Sequence, residues 1–347
     1  MASIKDIAAE LGVSTTTVSL VLSGKYHNGR ISKGMVERVL ESAKRLNYHP
    51  NMIAKSLKLG SSKSVGLIVA DITNPYFAKL VFVIQTHLQN AGYTLLIMNT
   101  NESVEQMGNT ITMLQDRRVD GFIIAPTVGG EEHIKTLLGQ NMPLVLIDRY
   151  YRDVESCNVL SDNYTAIYKS VLRLSAAGHH RICFVSIDND MIQISERQRG
   201  YCEAMAHIEL PEHIWLVDYD TPQAQMESAM SEILEMDGGC DAIIFAINRL
   251  SAIGAKILVQ RGVVIGRDID VVYFDKNNIF NLLPNHVPNI IQPIEEVGNL
   301  ASELLLQQIN KSHADNSSID NSNVDNSVEF QPSTHLLPCQ LKWEADE

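Results

Sequence analysis

The sequence of 347 residues has few of the features that mark membrane, secreted or disulfide-linked proteins. No apolar run approaches the roughly 20 residues that a membrane-spanning helix needs. The N-terminus does not have the charged-then-apolar layout of a secretory signal. The five cysteines are odd in number, widely spaced and without a C-x-x-C pair, which favours buried thiols in a reduced cytosol. We therefore expect a cytoplasmic protein without a membrane partner.

The residue patterns of enzymes are missing as well. The histidines, such as His207 and His213, are scattered and have no carboxylate or cysteine at metal-ligand spacing. No serine stands in a G-x-S-x-G elbow. Gly238-Gly239 and Gly262 do not form a dinucleotide-binding loop after a strand. We expect a chain that is not an enzyme and that holds no cofactor and no metal ion.

Charge is distributed unevenly along the chain. The net charge is −13, from 28 basic and 41 acidic residues. Residues 1–60 nevertheless hold nine basic and four acidic residues, a net charge of +5, whereas the remainder holds 19 and 37, a net charge of −18. A basic segment is attracted to phosphates and an acidic one is repelled by them. The distribution therefore indicates a small nucleic-acid-binding head on a large acidic body.

The head has the pattern of a helix-turn-helix. Ser3 with Asp6 forms a variant capping box before apolar residues at helical spacing, and Gly12 ends that helix. Ser14 and Ser32 are candidate caps of a second and a third helix. A small bundle with a merely solvated polar face is the alternative, and the basic excess favours DNA. The second helix of such a motif reads base edges in the major groove, here with Thr15, Thr16, Ser19 and Leu20.

The body alternates apolar runs of strand length with amphipathic segments. Strands are predicted at 65–70, 94–98, 121–125, 144–147, 182–186, 242–246 and 270–274, with a last one within 333–343. Helices are predicted near 78–91, 103–117, 131–140, 163–177, 197–208, 223–236, 250–261 and 294–309. Nearly all-apolar strands indicate parallel sheets covered on both faces. Two doubly wound lobes are favoured, and a closed eight-stranded barrel is the competing arrangement.

Two segments do not fit this alternation. Residues 51–59 are good helix formers after a possible Asn51 cap, and Gly60-Ser61-Ser62 is typical of a linker. Residues 312–328 are rich in Asn, Ser and Asp, and we expect a disordered surface loop there. The predicted organisation is a head at 1–48, a helix and linker at 49–62, and a two-lobed core at 63–347.

The motifs of the chain, taken in order, resemble those of the lactose-repressor (LacI/GalR) family. The head supplies Ile4-Lys5-Asp6-Ile7-Ala8, the run from Gly12 to Ser19, Asn47-Tyr48-x-Pro50-Asn51 and Ala54-x-Ser56-Leu57. The body supplies Val65-Gly66-Leu67-Ile68-Val69, Asn74-Pro75-Tyr76-Phe77, 119–124, Asp148-Arg149, Ser161-Asp162-Asn163, Gly178-His179, Arg197-x-x-Gly200-Tyr201 and Gln292-Pro293. Each motif alone is weak, but their order from Ile4 to Pro293 is a strong signal.

The resemblance implies how the chain binds DNA. Residues 51–59 resemble the hinge helix of the family, which orders on the operator. Leu57 would act there as a wedge in the minor groove, with Ala54 and Lys58 beside it. Core packing of an amphipathic helix is the alternative role of Leu57. Ser14 and Tyr48 complete the DNA-binding residues that the resemblance implies.

The resemblance also implies an effector-binding core, similar to periplasmic sugar-binding proteins, with its ligand between two lobes. The candidate contacts are Asn74, Tyr76, Phe77, Asp148, Arg197, Asn248 and Asp275. Carboxylates and an arginine suit sugar hydroxyls, so a sugar is favoured over a purine. Local roles are the alternative: Asp148 and Asp275 would cap helices, and Arg197 would pair with a neighbouring glutamate. Arg249 stands where the family commonly has Asp, which puts the contacts around Asn248 in doubt.

These inferences predict a ligand-responsive transcriptional regulator, a repressor that binds a pseudo-palindromic operator as a homodimer. The C-terminal residues 340–347 show no leucine heptads, so assembly into four chains is not implied. A soluble sugar-binding protein without a DNA role is the alternative function. An α/β enzyme with an N-terminal interaction domain is a third hypothesis, and the missing catalytic residues argue against it.

Overall fold

The computed structural model describes residues 2–26, 31–48, 60–218, 221–283, 285–317 and 332–343. The chain divides into two compact units, Met1–Ser62 and Lys63–Glu347, which we call the head and the core. Within the described ranges, no helix has the length and apolar character needed to cross a membrane. The predicted hinge helix at 51–59, with Ala54, Leu57 and Lys58, lies outside the described residues.

The head consists of helices α1 (Ile4–Leu11), α2 (Thr15–Leu22) and α3 (Lys33–Arg45). Their predicted caps are present: Ser3 forms a capping box with Asp6, and Ser14 and Ser32 each accept a backbone N–H of the following helix. Gly12 adopts the left-handed conformation (φ 66°) that turns α1 into α2 and that side chains disfavour. Ile7, Val18 and Val39 are fully buried between the three helices.

The core alternates strands and helices. Its strands are β1 (Ser64–Val69), β2 (Thr94–Asn99), β3 (Gly121–Ile124), β4 (Leu144–Ile147), β5 (Cys157–Ser161), β6 (Ile182–Ile187), β7 (His213–Val217), β8 (Ala242–Phe245), β9 (Asp270–Phe274), β10 (Asn289–Ile291), β11 (Ser333–Leu337) and β12 (Gln340–Lys342). Its helices are α4 (Pro75–Asn90), α5 (Val104–Asp116), α6 (Glu131–Gly139), α7 (Asn163–Ala176), α8 (Ile192–His207), α9 (Pro222–Glu235), α10 (Asn248–Gln260) and α11 (Ile294–Ser317), with a 3₁₀ helix at Asn278–Leu282.

The strands form two six-stranded sheets, one in each lobe. The first has the order β11-β5-β4-β3-β1-β2 and is parallel throughout. The second has the order β12-β10-β9-β8-β6-β7, in which only the β10–β12 pair is antiparallel. Each sheet is buried on both faces, because alternate residues of a strand enter opposite core clusters. Two open sheets confirm the two-lobe prediction and exclude the closed barrel.

The C-terminal segment differs from its prediction. The single strand expected within 333–343 is wrong: β11 pairs with β5 in the first lobe, and β12 pairs with β10 in the second. Pro338 separates them, because it has no N–H to continue a ladder. The chain therefore passes between the lobes here, as it also does after β5 and after β10.

Other predicted element boundaries also differ from those of the structure. Helix α11 runs to Ser317, so the loop predicted to begin at 312 is wrong over its first six residues. The buried stripe of Val297, Ala301 and Leu305 fixes this helix on the first sheet, and propagation beyond a fixed segment is inexpensive. Helix α8 begins at Ile192 rather than near 197. Strands β5, β7 and β10 were not predicted.

Candidate functional site

A cleft of about 450 Å³ lies between the lobes, at the carboxyl ends of their parallel strands. This volume is within the usual range of small-molecule sites. All seven side chains that the sequence proposed as effector contacts line it: Asn74, Tyr76, Phe77, Asp148, Arg197, Asn248 and Asp275. The structure thus brings together residues from five different strand-to-helix segments or helices of the core.

The first lobe supplies the N-terminus of α4. Asn74 caps this helix, since its Oδ1 accepts the N–H of Tyr76 at 3.0 Å. Tyr76 and Phe77 are only 6% and 3% exposed, and their rings pack edge to face with centroids 5.1 Å apart. Within the described part of the chain, the buried Tyr76 hydroxyl has no hydrogen-bond partner. It is thus an unsatisfied donor that lines the cleft.

Asp148 follows β4 in the left-handed conformation, with φ 64°. Its Oδ2 accepts Nε of Arg149 at 3.1 Å, and both side chains are nearly buried. Arg149 in turn donates through Nη1 and Nη2 to the two carboxylate oxygens of Glu102, each at 2.7 Å. The cleft wall of the first lobe therefore contains a chain of three charged groups. Asp148 caps no helix of the described chain, so the helix-capping role that the sequence left open for it is not observed.

The second lobe supplies Arg197 from the middle of α8. Only 4% of it is exposed, and its guanidinium lies 3.5 Å from the centre of the Phe274 ring. Its Nε donates to Oδ1 of Asn163 at 2.8 Å, and its Nη1 donates to the carbonyl of Ala246 at 2.6 Å. The pairing with a neighbouring glutamate that the sequence left open is therefore not observed for Arg197. Phe274 and these acceptors hold its charged plane at the cleft.

Asp275 and Asn248 come from the ends of two adjacent strands of the second lobe. Asp275 is also left-handed, with φ 68°, and its carboxylate accepts Nε2 of Gln292 at 2.9 and 3.2 Å. Asn248 is the first residue of α10, and its Nδ2 donates to the carbonyl of Lys276 at 2.6 Å. The neighbouring Arg249 also lines the cleft, at an exposed position.

The electrostatics of the cleft are dominated by burial. Burial raises the pKa of Asp148, although Arg149 and Arg197 act against it. Burial likewise raises the pKa of Asp275 against the attraction of Arg197, and burial lowers the pKa of Arg197 against the two carboxylates. Each charged group is therefore held at a cost in free energy, which a ligand that hydrogen-bonds to the charged forms would reduce.

The lining residues that the sequence did not propose include Glu102, Arg149, Gln193 and Gln292. The Oε1 atoms of Gln193 and Gln292 are buried and accept no hydrogen bond from the described residues. Glu102 follows the end of β2 closely, so a rule that selects polar residues after strands would have found it. Gln193 lies in the first turn of α8 and Gln292 directly follows β10, but the sequence predicted neither this start of α8 nor strand β10.

The candidate DNA-binding residues of the head lie at the start of α2 and along it, with Tyr48 after α3. Ser14 caps the helix, and its Oγ accepts the N–H of Thr17 at 3.1 Å. Thr15 and Thr16 are exposed, whereas Ser19 and Leu20 are half-buried. Tyr48 packs against the apolar centre of the head. The surface offers hydroxyls and a small apolar side chain for base edges.

Comparisons with known proteins give one family match in the core and one in the head. A model of "Periplasmic binding proteins and sugar binding domain of LacI family" matches residues 62–328, and one of "Bacterial regulatory proteins, lacI family" matches residues 3–51. The HTH-type transcriptional repressor PurR of Aliivibrio fischeri (strain MJ11) is 30% identical over 321 residues, which cover 90% of this chain and 94% of the relative. A PurR repressor of Actinobacillus pleuropneumoniae is 28% identical over 312 residues, 89% of this chain and 91% of the relative.

Solved structures share the fold. The lac repressor dimer bound to operator and the anti-inducer ONPF matches with a TM-score of 0.80 at 19% identity, over 98% of this chain and 97% of that one. A putative ribose operon repressor from Burkholderia thailandensis matches with a TM-score of 0.68 at 25% identity, over 81% and 98%. The two family models and the PurR relatives confirm the resemblance inferred from the sequence motifs. The chain belongs to the LacI family and is a helix-turn-helix DNA-binding transcriptional regulator with a ligand-binding domain.

Proposed function

We propose that the chain is a repressor whose effector is a sugar, bound between the lobes of the core, and that it binds operator DNA as a homodimer. The observation that carries this proposal is the convergence of Asp148 from the first lobe with Arg197 and Asp275 from the second on one cleft. A ligand that contacts all three is bonded to both lobes at once. It therefore changes the free energy of one lobe orientation relative to another.

The hydrogen-bonding groups of the cleft favour a sugar. Two carboxylates and the free Oε1 atoms of Gln193 and Gln292 are acceptors, which suit a ligand with many hydroxyl donors. The rings of Tyr76 and Phe77 are buried and expose little face for stacking, which disfavours a flat purine. The match of the core to a model described as a sugar-binding domain supports the same assignment.

The DNA contacts of the proposal are Ser14, Thr15, Thr16, Ser19, Leu20 and Tyr48 in the head, with Ala54, Leu57 and Lys58 in the hinge. Residues 1–48 would form the head, 49–62 the hinge and linker, and 63–347 the effector-binding and dimerisation core. Two heads would read two half-sites, and the effector would favour or disfavour an ordered hinge. Couplings of this kind are typically about 1–3 kcal/mol. Since the partner is bacterial operator DNA, we place the chain in the cytoplasm and assign it no catalytic step.

Large apolar side chains on the core support the proposed homodimer. Phe82 of α4 is 69% exposed, and Leu282 at the end of the 3₁₀ helix is 83% exposed. We assign these two side chains, one in each lobe, to the interface of the proposed dimer. A dimer also supplies the two-fold symmetry that a pseudo-palindromic operator requires.

The test is binding of the full chain to its own upstream DNA at moderate salt. Titrations are run without ligand and with D-ribose, D-glucose, D-galactose, maltose, adenosine and guanosine. We expect a sequence-specific complex whose affinity changes with a sugar. Thr16→Ala should weaken operator binding and leave sugar binding intact, whereas Arg197→Met should bind the operator but lose the sugar response. Absence of a specific complex under every condition refutes the repressor assignment, and a response to a nucleoside alone refutes the sugar.

A further inference from the structure

Glu102 and Arg149 form a largely buried ion pair in the first lobe. Both guanidinium Nη atoms donate to the carboxylate of Glu102 at 2.7 Å, in a two-pronged geometry. The side chain of Arg149 is 8% exposed and that of Glu102 is 31% exposed. A pair that is mostly removed from water is screened little, and loss of one partner leaves the other charge uncompensated.

This pair joins segments that follow three strands of the first lobe, β2, β3 and β4, of which β3 and β4 are adjacent in the sheet. Glu102 follows β2, and Arg149 follows β4. Arg149 Nη1 also lies 3.4 Å from the carbonyl of Pro126, which follows β3. Glu102 and Asp148 are both in the left-handed conformation, with φ of 59° and 64°, which costs free energy for residues other than glycine. The ion pair therefore lies where it can stabilise the left-handed backbone at Glu102 and Asp148.

The hydrogen bonds of Glu102 also determine which nitrogen of Arg149 bonds to Asp148. Because the carboxylate of Glu102 occupies both Nη atoms, Nε remains for Asp148, at 3.1 Å. The hydrogen bond from Arg149 to Asp148 ends on Oδ2, and the other carboxylate oxygen, Oδ1, takes no part in it. The orientation of the Asp148 carboxylate at the cleft is thus set by a residue that does not contact it.

We propose that Glu102 is a positioning residue of the effector cleft, which holds the carboxylate of Asp148 in its ligand-binding orientation through Arg149. The proposal rests on the proposed function, because it assigns Asp148 to the effector. It predicts that the contact between Glu102 and Arg149 controls Asp148 even when no effector is bound. The exposed pair of Glu132 and Lys135 is not among the residues that line the cleft.

The first test is carbon NMR of the full chain labelled at aspartate carboxyl carbons, without ligand. The Asp148 signal is identified by its loss in Asp148→Asn. Glu102→Gln should shift or broaden this signal and leave that of Asp275 in place. Arg149→Lys should do the same, because lysine keeps the charge but not the fork. The matched control Glu132→Gln should change neither signal, since its carboxylate is exposed and pairs with Lys135 at 2.7 Å.

An unchanged Asp148 signal in Glu102→Gln overturns the proposal. Circular dichroism checks that each variant is folded. If Glu102→Gln does not fold, Glu102→Asp is measured instead: it keeps the charge but shortens the side chain by one methylene. A shift of the Asp148 signal supports the proposal there too, and an unchanged signal overturns it.

The second test uses a sugar that binds the wild-type chain in the panel above. Glu102→Gln should bind it about tenfold more weakly, since a misdirected charged acceptor loses a hydrogen bond of roughly that value. Equal sugar affinity in variant and wild type contradicts the proposal. If no sugar binds the wild type, the sugar assignment fails, whereas the Asp148 signal still decides the role of Glu102.

Discussion

Gly200→Ala is the substitution that links the packing of the core most directly to its cleft. Gly200 lies in α8, three residues after Arg197, where this helix crosses α7. A Cβ at this position would lie 2.5 Å from the carbonyl oxygen of Tyr164, and 3.2 and 3.3 Å from its carbonyl carbon and Cα. These are backbone atoms, so no side-chain rotation relieves the contact. Helix α8 must therefore move away from α7.

The required movement sets the magnitude. An ordinary contact begins near 3.4 Å, so α8 must retreat by about 0.9 Å at this point. Overpacking of a core costs about 1–3 kcal/mol, and a rigid backbone contact belongs at the upper end. Alanine in place of glycine returns about 1 kcal/mol through helix propensity. We expect a net loss of about 2 kcal/mol in the free energy of unfolding, which lowers the melting temperature by about 4 °C in a domain of this size.

The movement also displaces Arg197, whose hydrogen bonds to Asn163 and Ala246 are short. Sugar affinity, measured by calorimetry, should therefore fall about tenfold, a change of about 1.4 kcal/mol. Gly139→Ala is the matched control, because Gly139 ends α6 and no atom lies within 4 Å of its added Cβ. If Gly200→Ala melts at the same temperature as Gly139→Ala, the close approach of α7 and α8 does not constrain the cleft, and the reasoning is refuted.

Three further predictions address the DNA, the dimer and the pH response. Leu57→Ala should weaken specific operator binding about tenfold while leaving non-specific binding nearly unchanged, as an unstacking wedge requires; equal losses on both DNAs in fluorescence titrations would contradict the wedge. Phe82→Glu should raise the dimer dissociation constant at least about tenfold in sedimentation experiments, because it places a charge on a 69% exposed apolar position of the proposed interface; an unchanged constant would place the interface elsewhere. Asp275→Asn should bind sugar more weakly but be more stable than wild type at neutral pH, because burial raises the pKa of Asp275 and so disfavours its charged form in the folded chain. This difference in the free energy of unfolding should shrink as the pH falls through the raised pKa, because Asp275 of the wild type then becomes protonated. A difference that stays constant from neutral to acidic pH would show that the charge of Asp275 is not its cause.

The sequence predicted those parts of the core whose signal is local. Strands buried on both faces, such as β1, β4 and β8, are continuous apolar runs and were found. Strand β7 was missed because it is an edge strand, partly exposed along most of its length and containing His213 and Trp215. Strand β5 was missed because its Cys157 and Asn158 interrupt the apolar run, although the sheet buries both. Strands β5 and β7 form because of their tertiary environment, which no local sequence pattern indicates.

The cleft was likewise predictable only in part from the sequence. Asp148, Asn248 and Asp275 could be predicted because they follow apolar strands, and the carboxyl ends of parallel strands meet at one edge. The contacts with the partners that orient them could not be predicted. Gln292 reaches Asp275 across 17 positions, and Glu102 reaches Arg149 across 47, so these contacts exist only once the lobes are folded. Sequence patterns locate the groups that touch a ligand better than the groups that hold them.

The two lobes hold equivalent carboxylates by different means, and this difference has a consequence. Asp148 and Asp275 each follow a strand, each in the left-handed conformation, and each is attracted by Arg197. In the first lobe, the fixing partner is the cation Arg149, itself tied to Glu102. In the second, it is the neutral amide of Gln292. A cation stabilises only the charged carboxylate, whereas an amide can hydrogen-bond to either protonation state. The contacts of the first lobe therefore favour the charged carboxylate of Asp148. In the second lobe, a ligand or a proton more readily changes the charge of Asp275 and with it the electrostatic attraction on Arg197.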